Sequence, residues 1–127
     1  MNQVSRIFIG GAAAVLAMNT IGAILSVRMD FSYAALTPLS FAINAITAFL
    51  VGRSSTLWWA VVVSAGVAFT EATVGWAIAW AIGPGRPPDG YTGMLPIAFA
   101  VVIVTISGGL TGVVGGSLGR LFRRKPG

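Results

Sequence analysis

Glu71 is a carboxylic acid in the middle of Leu57–Ile82, a stretch with no other charge. Around it, by position along three further apolar segments, stand Asn19, Asn44 and Thr105, with Thr70 as its own neighbour. An acid among amides and hydroxyls can take up and release a proton, hold a cation, or bind one helix to another. A charged carboxylate at the centre of a bilayer costs about 2.5–3.5 kcal/mol on insertion scales, so such a residue faces the interior of a bundle and marks a site by default.

Other chemistry is excluded by what the chain lacks. There is no Cys and no His, which removes disulfides, thiol nucleophiles, His-ligated metal and imidazole acid–base catalysis. Three acidic residues in all do not make a carboxylate cage for a metal ion. No nucleophile–base pair is present, so no enzymatic activity, metal or cofactor is expected.

The elements that must position these residues are apolar helices. Of 127 residues, 56% are hydrophobic and 9% charged, against about 25% charged in soluble domains. A bilayer crossing takes about 20 apolar residues, and four segments qualify: 7–27, 34–52, 57–82 and 95–118. The fold expected is all-α, a single integral membrane bundle of four transmembrane helices with short loops. Thr37-Pro38 reads as an N-cap followed by a first helical residue, which starts the second helix late; a kink at Pro38 is the alternative. Pro96 opens the fourth span in a similar way. The run from Gly83 to Gly90, rich in Gly and Pro, breaks the chain between the third and fourth spans. Met1–Val27 has a basic residue and an apolar core, but its uncharged run is long for a signal peptide and Asn19 interrupts it, so a retained helix is expected.

Orientation follows from the basic residues. Arg6, Arg53, Arg120, Arg123, Arg124 and Lys125 fall on one side, Arg28 and Arg86 on the other. Both termini are therefore expected in the cytoplasm, at the plasma (inner) membrane of a prokaryote. The cluster Arg120, Arg123, Arg124 and Lys125 is expected to face anionic lipid. It is not read as a nucleic-acid patch, because no aromatic residues alternate with it. Trp58 and Trp59 belong at the inner interface, and Tyr33, Trp80 and Tyr91 at the outer one. Asp89 and Arg86 read as solvated loop charges, and Asp30 beside Arg28 as a weak surface pair.

Side-chain size gives the faces. On the third helix Ser64, Ala68, Glu71, Gly75 and Ala79 form a small stripe, opposite Trp58, Val62, Phe69, Trp76 and Trp80. In lipid the small stripe is the packed one, so Glu71 points inward and the tryptophans outward. The first helix carries Gly11, Ala12, Asn19, Gly22, Ala23 and Ser26, with Val15 the large exception. The second carries Thr37, Ser40, Asn44, Thr47 and Ala48. On the fourth, Gly108, Gly112 and Gly116 make two overlapping G-x-x-x-G steps, and Gly115 with Gly119 a third. That face serves either a homodimer or packing within the monomer.

With no embedded Lys, Arg or His, Glu71 has three physical options. It is held as the neutral acid, it carries a proton-exchanging or cationic ligand in a hydrated cavity, or it pairs with a basic residue of another chain; a bare charge in a dry bundle is excluded. The leading expectation is an accessory or scaffolding membrane protein in which protonated Glu71 bonds to a neighbouring helix. The alternatives are a proton- or cation-linked small transporter or channel, acting as a homodimer, and a subunit of a larger complex. In architecture the pattern is similar to the small multidrug resistance transporters, with four short helices, a lone membrane glutamate and a glycine-rich last helix. There the glutamate is on the first helix and here on the third, so no residue role carries over. In size and helix count it also looks like the dimeric fluoride channels, but their arginine and asparagine signature is not matched. A cavity beside Glu71 favours transport, and a sealed dry contact favours the scaffold.

Overall fold

The computed structural model describes residues 2–84, 86, 87, 90 and 93–123. Asp89, Tyr91, Arg124 and Lys125, named above, lie outside the described residues. Helices α1 (Gln3–Met29), α2 (Thr37–Ser54), α3 (Leu57–Thr70), α4 (Trp76–Ile82) and α5 (Met94–Leu121) account for nearly all of the rest, with no strand among the described residues. A 3-10 turn, Tyr33–Leu36, leads into α2, and a π turn, Glu71–Gly75, joins α3 to α4. Counting these turns, four helical spans, Gln3–Met29, Tyr33–Ser54, Leu57–Ile82 and Met94–Leu121, are long and apolar enough to cross a membrane.

Local chemistry sets the ends. The Asn2 side chain accepts the Ser5 amide at 2.8 Å and starts α1 four residues before the apolar run does. Asp30 closes α1 in the left-handed region at φ 56°, its amide bonded to the Ser26 carbonyl at 3.0 Å. Pro38 falls in the first turn of α2, where its missing N–H costs nothing, so the helix is not kinked there; the expected cap is corrected, since Thr37 is itself helical and Leu36 precedes the helix without a side-chain cap. The Thr56 hydroxyl accepts the Trp59 amide and opens α3.

The glycines of α5 let it lie directly on α2 and α3. A Cβ at Gly112 would stand 2.8 Å from the Val61 Cα, and one at Gly115 would stand 2.7 Å from the Ala45 carbonyl oxygen. Gly116 faces Gly52 and Ala60, Gly108 faces Ala68, and Gly119 faces Phe49. Close backbone approach of this kind is what small residues provide where no hydrophobic effect drives helices together. All five glycines are buried inside the chain. Of the two roles expected of this face, the glycines serve packing within the chain, against α2 and α3. Arg123 reinforces the same end, its guanidinium donating to the Gly52 and Arg53 carbonyls at 3.0 and 3.2 Å and so capping α2.

The apolar core, Val15, Ala48, Val51, Ala60, Val63 and Val67, occupies this tightly packed half. Beyond it the helices part. α4 approaches α1 but neither α2 nor α5, and α5 approaches α2, α3 and the π turn but not α1. The molecule is thus closed at the α2–α3 connection and split at the other end, α1 with α4 on one side and α2 with α5 on the other.

Candidate functional site

Glu71 sits at the base of this split, 6% exposed. Its backbone opens the π turn: the Trp76 amide reaches back five residues to the Glu71 carbonyl. Single π turns inside α-helices are rare and concentrate at functional sites. The wide turn offsets everything after it by about one residue, or about 100° around the axis.

That offset corrects the expected orientation of the tryptophans. Trp76 and Trp80, read from a continuous 3.6-residue period, should share the outward face of Trp58. Instead both are half-buried and line the cavity beside Glu71, while Trp58 and Phe69, which precede the turn, are exposed.

The carboxyl accepts from two sides. Asn19 Nδ2 of α1 donates to Oε1 at 3.4 Å, and Ser40 Oγ of α2 donates to Oε2 at 2.5 Å. Asn19 is 1% exposed, and its amide orientation is fixed on both ends. Nδ2 also donates to the Val15 carbonyl at 2.7 Å, and that oxygen can only accept. On the other end Oδ1 accepts from the Tyr33 hydroxyl. The donors therefore run in one direction, Tyr33 to Asn19 to Glu71, with Ser40 arriving from the opposite helix. Gly75 leaves the space this needs, since a Cβ there would stand 3.0 Å from Asn19 Nδ2.

The other expected partners are placed differently. Asn44 is buried one turn from Ser40, donates to the Ser40 carbonyl at 3.2 Å and accepts a long 3.5 Å contact from Ser64. It borders the same cavity as Glu71 but does not bond to it. Thr70 and Thr105 are not brought to the carboxyl. Each hydroxyl donates back to its own helix, to the Gly66 carbonyl at 2.9 Å and the Val101 carbonyl at 2.8 Å, the usual resort of a helical threonine with no better acceptor. Sequence reasoning put Ser40 on the right face of α2 but did not connect it to Glu71. Tyr33 was assigned to the interface belt; only its place on the 3-10 turn brings its hydroxyl down to Asn19.

The cavity measures about 1020 Å³ and runs from Glu71 to Arg86, beyond the C-terminal end of α4, a size at the top of the range for small-molecule sites. Glu71, Asn19, Ser40 and Asn44 form its polar floor. Its walls are Trp76 and Trp80 on one side, Phe41 and Tyr33 on another, and the apolar residues Ile97, Val101 and Val104 of α5. The basic residues of the described helices, Arg6, Arg28, Arg53 and Arg120, are exposed near helix ends. Glu71 is thus hydrogen-bonded by neutral donors alone, and the one basic residue bordering its cavity among the described residues is the exposed Arg86 at the far end.

Comparison of the chain with protein-family models, with curated proteins and with solved structures returned no match.

Proposed function

We propose that this is a multi-pass membrane protein that binds a cationic solute in the split between its helices and exchanges it for a proton at Glu71. The observation that carries the reading is a buried acid, the one among the described residues, at the closed end of a large cavity, bonded only by neutral donors, with the exposed Arg86 at the far end of the same cavity and no bond between the two. A carboxyl in that setting has two ways of staying neutral as a unit, a bound proton or a bound cation, and the two compete for the same oxygens. Coupling sites in transporters use acids at this depth for that reason.

A membrane setting is supported by inverted burial. The most apolar span, Met94–Leu121, has a mean hydropathy of 2.3 in its core window, yet only 11% of that window is buried. Phe99, Val102, Ile106, Leu110 and Val114 all point outward, which water would penalise and lipid does not. The distribution of basic residues supports a cytoplasmic location for both termini, with Arg120 toward anionic lipid. Arg123 is engaged in capping α2.

The test is flux in reconstituted liposomes. Wild-type protein should couple an imposed proton gradient to cation movement, and Glu71→Gln should not. Equal flux in the two, or none above empty liposomes, removes the reading. A second reading, an accessory or scaffolding protein, is favoured by one observation: both carboxyl oxygens already tie α1 and α2 to the π turn. It expects Glu71→Gln to fold normally and to show no loss of any solute-dependent property.

A further inference from the structure

Building on that reading of the Glu71 site, we infer that the solute is a primary ammonium carried on an aromatic body, an arylalkylamine. The first ground is a surplus of acceptors. A carboxylate offers about four lone-pair sites and an amide oxygen two. Glu71 receives two donors in all, and Asn44 Oδ1 receives only the 3.5 Å contact from Ser64. Every buried side-chain donor described is already engaged. By the same count the floor has several acceptor sites to spare against one N–H, the second hydrogen of Asn44 Nδ2, so its complement must bring mainly N–H groups as well as positive charge. A primary ammonium brings three; a quaternary one brings none and would leave those oxygens facing methyl groups.

The second ground is the wall. The π turn rotates Trp76 and Trp80 into the cavity, opposite Phe41 and Tyr33. Four aromatic rings above an acidic floor fit a ring attached to an amine by a short linker. The third is access. α4 and α5 do not approach one another, and their gap lies along the apolar length of both helices. A solute that partitions into lipid can enter sideways, amine first, and displace the proton from Glu71.

The experiment uses the full chain in lipid nanodiscs and measures binding of 2-phenylethylammonium, its N,N,N-trimethyl analogue and 3-phenylpropionate. The primary amine should bind, the trimethyl analogue about tenfold more weakly or worse, and the acid not at all, because unmet acceptors are costly. Asn44→Leu, which leaves Glu71 and its partners in place, should weaken the primary amine by about tenfold while narrowing its advantage over the trimethyl analogue. Equal binding of primary and trimethyl forms overturns the ammonium assignment, whereas Glu71-dependent flux of another cation would leave the broader proposal standing. Amine binding unchanged in monodisperse Glu71→Gln overturns both.

Discussion

Replacing Gly112 by Ala adds one methyl group where α5 lies directly on the backbone of α3. The new Cβ would lie 2.8 Å from the Val61 Cα, 3.0 Å from the Ala60 carbonyl oxygen and 3.0 Å from the Ser64 Cβ. Two of these are backbone atoms that no rotamer change can move. Carbon pairs rest at about 3.5–4.0 Å, so the helices must separate by up to about 1 Å, and a gap of that size forfeits a quarter to a half of each contact it opens. Gly108 and Gly116 sit on the same row, one turn to either side, and lose contact with it. Overpacking of this sort costs about 1–3 kcal/mol, here toward the upper end, while Gly→Ala returns up to about 1 kcal/mol in helix propensity. The net expectation is a loss of about 2 kcal/mol. Gly109→Ala is the internal control. Its Cβ meets only Val61 Cγ1 at 3.8 Å and Ala65 Cβ at 3.9 Å, so the propensity gain stands unopposed and the change should be neutral or stabilising. Thermal or denaturant unfolding in one detergent would compare the two. An unaltered midpoint for Gly112→Ala, or equal losses for both, would refute the packing described.

Three further outcomes are expected. Tyr33→Phe removes the donor that fixes Asn19, and should cost about 1 kcal/mol and weaken binding at Glu71, read by unfolding and by ligand titration. Deleting Val74 takes one residue from the π turn and restores a continuous α-helix, turning Trp76 and Trp80 back toward the exterior. The chain should still be helical by circular dichroism but should lose its solute, and retained binding would contradict the role given to the turn. A single cysteine introduced at Arg86 should label from outside intact cells and one at Arg6 should not, the reverse pattern overturning the orientation.

Much of the helical frame can be read from composition because length and apolarity decide it. The third span, Leu57–Ile82, coincides with the expected range, and the others run beyond theirs where Asn2 caps α1 or where Arg120 continues α5. Lipid-length hydropathy has no knowledge of caps, which act on polar residues outside the apolar run. The depth of Asn19 against Glu71 was legible because helices of similar length that cross the same layer bring their midpoints level. What escaped was whatever depends on a local change of geometry. The π turn has no signature in EATVG, and without it Trp76 and Trp80 project to the wrong side. The reach of Tyr33 depends on a 3-10 turn whose position follows from Pro38 and from Leu36 settling over Gly22. The split between α4 and α5 is a matter of how bundles close, which no single segment encodes.

The most direct measurement of the Glu71 account is infrared difference spectroscopy of the lipid-embedded protein on addition of 2-phenylethylammonium. The account predicts loss of a protonated-carboxyl band as the amine arrives, with a proton released to the medium, and neither signal in Glu71→Gln. Binding that leaves the carboxyl band untouched, or the same band change in Glu71→Gln, would contradict it.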